Sequence, residues 1–195
     1  MLLLYDKYVM KFWPVPQSYS KDIPKNGVSG SFWEDRGDRR HCGVDIYAPE
    51  DSEVVAIEGG KVIDSGLFTS PEMHPYWNKT YYVIIKSSQN IIFKYAELKE
   101  VSIHVGDYVE AGQVIGKVGT VIVEKDVTYR DPYYVRDLAQ KGTMCMLHLE
   151  IYKAPVTAVH PYLAGSFFGD QLPDSLIDPA VFLNGVSGKI GKNDN

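Results

Sequence analysis

Cysteine is nearly missing from this chain. Two thiols, Cys42 and Cys145, in 195 residues are too few for the disulfide framework of small extracellular scaffolds. Basic charge is scarce as well: 20 Lys and Arg stand against 25 Asp and Glu, a net charge of −5. With no clustered basic stretch, a nucleic-acid partner is not expected. No apolar run reaches the roughly eighteen residues of a membrane span. The opening Met1-Leu2-Leu3-Leu4-Tyr5-Asp6-Lys7 has too short an apolar run for a secretory leader, and lacks a charged start and a small-residue cleavage site. As written, the chain therefore reads as unexported and cytoplasmic, and as a cell-envelope protein only by another route. There is no tandem repeat and almost no helical signal.

What is present is β-forming sequence. Val54-Val55-Ala56-Ile57 and Lys61-Val62-Ile63-Asp64 flank Glu58-Gly59-Gly60, which reads as a hairpin. Residues 66–80 read as a loop. Tyr81 to Lys86 and Asn90 to Tyr95 read as two strands joined by a polar turn, and Gly106 to Gly116 as short apolar pieces between Gly-rich corners. Residues 121–140 read as a polar insertion with a short helix near Val135 to Gln140, and 153–176 as a second insertion. Many short strands imply an all-β sandwich or barrel-like fold with loop insertions. Its expected divisions are a cover segment (1–30), a β domain (31–184) and a flexible tail (185–195).

The chemistry concentrates in His41-Cys42-Gly43-Val44-Asp45 and in Met146-Leu147-His148-Leu149-Glu150. Two imidazoles and a carboxylate with an open fourth position suit a catalytic zinc ion, Zn2+. On a straight strand His41 and Asp45 would lie roughly 13 Å apart, and Val44, Ile46 and Gly43 disfavour a helix. The solution is a bend at Gly43 that folds His41 back over a strand starting near Val44. Alternation on the second segment turns Met146, His148 and Glu150 to one face. His41, Asp45 and His148 are thus the candidate metal ligands, with Glu150 as a partner behind His148 or in a salt bridge. Cys42 and Cys145 each lie at an odd offset from a ligand. That turns both away from the metal, behind the same pair of strands, within reach of a disulfide but more simply two buried thiols. The aromatic run Tyr129 to Tyr134 reads as packing within the insertion or as the lining of a peptide or glycan groove.

Arg40-His41-x-Gly43-x-Asp45-Ile46 resembles the first zinc motif of the lysostaphin-type metalloendopeptidases, which cut peptide cross-links in bacterial cell walls. Gly106-Asp107 to Gly116 resembles that family's lipoyl-like hairpin. Leu147-His148-Leu149-Glu150 resembles the second half of its His-x-His motif, and Asp178-Pro179 to Leu183 its closing segment. The resemblance implies a β-sandwich, barrel-sandwich hybrid with a duplicated hybrid motif, and zinc held by His41, Asp45 and His148. A carrier-domain reading is weak, since Lys61 is not at a hairpin tip.

Two positions depart from the family. Its Tyr-Ala-His-Leu segment is Tyr95-Ala96-Glu97-Leu98 here, and the first His of its His-x-His motif is Met146. The resemblance implies that these two histidines are the catalytic pair. A thioether carries no proton to donate. A glutamate beside a zinc-bound water is the base in other zinc proteases, so Glu97 is the one candidate catalytic residue. His74, His160 and Tyr95 are further groups near the expected groove. The sequence thus reads as a degenerate, zinc-binding member of low or no endopeptidase activity. Such a domain binds a peptide or peptidoglycan-like ligand, or regulates a wall-enzyme partner. The alternative is an active endopeptidase with Glu97 as general base.

Overall fold

The fold is a computed structural model that describes residues 10–155, 165–184 and 186. Its strands are β1 (Arg40–His41), β2 (Val44–Tyr47), β3 (Glu53–Val55), β4 (Gly60–Thr69), β5 (Thr80–Ser87), β6 (Ile91–Val101), β7 (Tyr108–Val109), β8 (Val114–Thr120), β9 (Cys145–Lys153), β10 (Ser166–Phe167) and β11 (Leu176–Ile177). Two short helices, α1 (Tyr133–Lys141) and α2 (Ala180–Leu183), complete it. Nine strands form one antiparallel sheet along the path β11-β9-β8-β6-β5-β4-β7, with β2 on β9 and β3 on β8. The sheet curls into a half-barrel, while β1 and β10 form a separate two-stranded ribbon.

Strand alternation divides the sheet into two faces. Val83 and Ile85 on β5, Phe93 and Tyr95 on β6, and Leu147, Leu149 and Ile151 on β9 enter one packed core. Trp13 and Val15 from the N-terminal stretch are buried in the same core. Each large apolar side chain so buried contributes about 1.5–3 kcal/mol. The opposite face of β6 and β9 carries Lys94, Ala96, His148 and Glu150, directly cross-strand as Lys94↔Glu150 and Ala96↔His148. That face bears the polar chemistry.

Two expected hairpins do not form. β3 pairs with β8 rather than β4, and β7 with β4 rather than β8. A two-residue hairpin turn needs positive φ at its centre, and neither Gly59 nor Gly60 has it. Gly60 serves close approach instead: a Cβ there would lie 2.5 Å from the Lys86 carbonyl oxygen. The corners around Gly106 and Gly112 send the chain to other strands, through Gly106 N–H to Val62 O and Gly112 N–H to Ala56 O. The loop expected over 66–80 is shorter, because β4 runs on to Thr69.

β9 is the hub. Along one edge β6 pairs with it from Lys153 back to His148, and β8 takes over at Met146 and Cys145. Along the other edge lie β2 and β11. At the fork, β6 kinks at Glu97, which adopts the left-handed conformation (φ 63°). This is a costly region for a residue other than glycine, by about 1–2 kcal/mol. Gly119 of β8 crosses closely here, since a Cβ on it would sit 2.9 Å from Glu97 O.

The insertion supplies α1, two residues earlier at its start than expected and closed by left-handed Gly142. Its buried face, Tyr134, Val135 and Leu138, joins Tyr76, Trp77 and Met146 in a second cluster. The cysteine expectation needs correction. Both thiols are free, but they are not behind the same strands. Cys42 packs with Ile84, Ile92 and Tyr152, on the sheet face opposite the main core. Cys145 packs against the core itself and contacts Thr120 Oγ1. The bend between β1 and β2 resets the alternation, so an odd offset from His41 says nothing about facing. Among the described residues no helix is long and apolar enough to cross a membrane.

Candidate metal centre

Asp45 on β2 and His148 on β9 are direct cross-strand partners, which brings their side chains together by register alone. His41 arrives through the bend. Gly43 makes the bend possible, because any Cβ there would lie 2.2 Å from the Leu149 carbonyl oxygen. His41, Asp45 and His148 are all but sealed from solvent, at 0%, 5% and 4% exposure. Their donor atoms form a triangle. His41 Nε2 lies 3.0 Å from His148 Nδ1, His148 Nδ1 lies 2.9 Å from Asp45 Oδ1, and His41 Nε2 lies 3.1 Å from Asp45 Oδ1.

The outer hydrogen bonds fix the tautomers. His41 Nδ1 is 2.7 Å from the Ser31 carbonyl, which only accepts, so Nδ1 carries the proton and Nε2 is bare. His148 Nε2 is 2.9 Å from Glu150 Oε1, which can hold a proton on Nε2 and leave Nδ1 for a metal. In that form two nitrogen lone pairs and a carboxylate oxygen point at one another. Such a triangle needs a cation at its centre. A proton serves in the metal-free protein. Burial alone would lower the His148 pKa, but Asp45 and Glu150 overcome it and raise it to about 9. Burial and the Arg36 charge lower that of His41. Burial would raise the Asp45 pKa, but its two imidazole neighbours hold it well below the usual carboxylate range. The three residues also form a group that could hold a metal ion, and the donors lie within reach of a single zinc at bonds of about 2.0–2.2 Å.

Behind His148 stands a structure that the sequence showed only in part. Glu150, fully buried, accepts from His148 Nε2, from Lys94 Nζ at 2.8 Å and from the Tyr152 hydroxyl. Burial pushes its pKa up, but Lys94 and His148 win and hold it at about 2. Lys94 also sits 4.7 Å from the centroid of the Phe68 ring, which stacks on His148 at 6.0 Å. The result is a relay, Lys94–Glu150–His148, that holds the ring and its tautomer. Arg36 does similar work on the other side: its Nη2 is 3.3 Å from Asp45 Oδ2, the oxygen outside the triangle.

Glu97 is buried on this side of the fork, its Oε2 accepting from Thr80 Oγ1 at 2.9 Å. Burial raises its pKa to about 7, against the pull of Thr80 and His148 and with the push of Asp45. Among the described residues its Oε1 has no hydrogen-bond partner. Met146 shares the face of His148 but is packed into the second cluster. Tyr95, expected beside the groove, lies on the other face. It is buried in the main core, its hydroxyl accepting from Ile57 N–H at 2.8 Å, because its cross-strand partner is Leu149, not His148. His74 stacks on Tyr76, and His160 lies outside the described residues. Arg36 and Lys94 were not singled out from sequence as site residues, and Tyr134 was marked only as part of the aromatic run Tyr129 to Tyr134. A visible signal existed for Lys94, a lone cation inside the apolar run Ile91 to Ala96.

The sequence model of peptidase family M23 matches residues 39–130, which include His41, Asp45 and Glu97. Over that stretch, just under half of the chain, the sequence is similar to peptidase family M23. His148 lies beyond the matched residues, and geometry joins it to the other two candidate ligands. Among solved structures, a chain of the SpoIIQ–SpoIIIAH pore-forming complex is 20% identical with a TM-score of 0.51, over 89% of this chain and 91% of that one. The catalytic domain of lysostaphin from Staphylococcus simulans is 21% identical with a TM-score of 0.45, over 90% and 92%. A Pseudomonas aeruginosa protein assigned to the M23 family is 21% identical with a TM-score of 0.48, over 91% of this chain but 51% of that one. This chain therefore spans about half the length of that relative. These likenesses are of fold. No curated protein matches the sequence.

Proposed function

We propose that this M23-like domain is a zinc-dependent peptidase of short-side-chain, cell-wall-like peptides, with Glu97 as general base. The observation that supports this reading is Glu97 itself. A carboxylate is held at a strained fork and anchored through one oxygen, the other having no partner among the described residues. It shares an electrostatic neighbourhood with His148 and Asp45, and its pKa lies near the optimum for a base working at neutral pH. His41, Asp45 and His148 would hold the zinc, which when bound acidifies a water and polarises the scissile carbonyl. Glu97 takes the attacking water's proton and returns it to the departing amine. The loss of histidine at 97 is then a replacement.

A second reading keeps the metal and the groove without cleavage, as a peptide-binding domain or regulator of a wall-enzyme partner. The observation that favours it is Met146, an apolar side chain buried where a proton donor is needed. The two readings separate on zinc-loaded protein incubated with pentaglycine and with peptidoglycan. The hydrolase reading expects turnover that rises with pH through about 7 as Glu97 ionises. Zinc binding with no turnover on either substrate overturns it in favour of the second.

A further inference from the structure

Peptide hydrolysis places negative charge on the carbonyl oxygen in the transition state, and one positioned donor to that oxygen is worth about 10²–10³-fold in rate. Met146 has no proton to give. The donor must come from elsewhere. α1 packs into the cluster that contains Met146 and carries a tyrosine there, Tyr134. Only 8% of Tyr134 is exposed. Buried tyrosines ordinarily hydrogen-bond their hydroxyl, yet this one bonds to no described residue. Glu97 Oε1 is in the same condition.

The surroundings of Tyr134 connect it to the centre through Arg36. The Arg36 guanidinium stacks on its ring at 4.6 Å, and the same guanidinium is bonded to Asp45. Glu97 and Arg39 both interact with the phenol electrostatically, as does Asp38. Tyr134 thus stands one side chain removed from a metal ligand and in the charge field of the base. Burial, against the pull of the two arginines, raises its pKa, which keeps the hydroxyl a donor. α1 follows the residues that match the family model.

We propose that Tyr134 is the hydrogen-bond donor to the oxyanion in this site, working opposite Glu97. The water oxygen bonds to the carbonyl carbon as Glu97 takes its proton. The carbonyl oxygen, now negative, is held by the Tyr134 O–H, which keeps its own proton. The C–N bond then breaks as Glu97 delivers the proton to the amine, leaving a carboxylic acid and a free amine. This rests on the reading of Glu97 as base.

The test uses the zinc-loaded full chain and Tyr134→Phe, which removes one oxygen and keeps the packing. On pentaglycine, kcat is expected to fall about 10²–10³-fold with KM little changed, and Tyr133→Phe, at an exposed position on the same helix, to match the parent. A second readout needs no turnover. A glycyl phosphinate peptide carries a tetrahedral, anionic phosphorus in place of the scissile carbonyl. It should bind Tyr134→Phe at least tenfold more weakly than the parent, while uncleaved pentaglycine binds both alike to Glu97→Gln backgrounds. Adding Met146→His to Tyr134→Phe should restore part of both losses, by returning a donor to the same cluster. Equal phosphinate affinity in parent and Tyr134→Phe overturns the proposal. A phosphinate difference with no turnover in the parent sinks the hydrolase reading and leaves the Tyr134 contact standing.

Discussion

Glu97→Gln should lower kcat by about 10²–10⁴-fold, the usual worth of a positioned general base, with zinc content and melting temperature close to the parent's. The substitution is nearly isosteric, and the amide oxygen can still accept from Thr80 Oγ1, so the kinked fork need not move. What is lost is the ability to take a proton. The two carboxylates bonded to the imidazoles are engaged: Asp45 in the triangle, and Glu150 by Lys94, His148 and Tyr152. Residual activity equal to the parent's, measured as single-turnover cleavage to remove product release, would show that another group moves the proton.

Lys94→Met should cost about 3–5 kcal/mol, the usual penalty when one member of a buried ion pair is removed. For a chain of this size that corresponds to a fall in Tm of roughly 6–20 °C, read by calorimetry. Glu150 would remain buried with its charge opposed only by His148 and the Tyr152 hydroxyl. The sign with pH is definite. Glu150 has a folded pKa depressed from 4.5 to about 2, so its stabilising contribution is fully present above about pH 4.5. It is lost as the pH falls through about 2. The gap between parent and variant should therefore be widest near neutrality and shrink in acid. Replacing Lys94 and Glu150 together by Met and Leu removes the buried charge and should recover much of the stability. It also frees the His148 ring, so zinc affinity should still drop by about 10–100-fold.

The grouping of His41, Asp45 and His148 was legible in the sequence because each residue's placement rests on local rules. Residue type pointed to zinc, alternation put Met146, His148 and Glu150 on one face, and the failure of both helix and straight strand at residues 41–45 left a bend at Gly43. What was not legible depends on which strands become neighbours. The glycine pair at 59 and 60 looks like a turn, yet it lets strands pass closely, and β3 and β8 pair across the domain. Cys42 fell on the unexpected face because the bend breaks the count. Tyr95 was assigned to the groove through its nearness to Glu97 in sequence, but the kink at Glu97 separates their faces. Lys94 and Glu150 become a pair only once β6 is known to lie on β9. Arg36 and Tyr134 meet only after the N-terminal loop and the insertion helix fold over the same edge.

Everything chemical here depends on one cation held by His41, Asp45 and His148. The most direct measurement is zinc titration of the metal-free chain by calorimetry, beside His148→Ala. One zinc per chain, with affinity lowered by at least two orders of magnitude in His148→Ala, is the expected result. A parent that takes up no zinc, or a His148→Ala variant that binds it as tightly, would contradict the account.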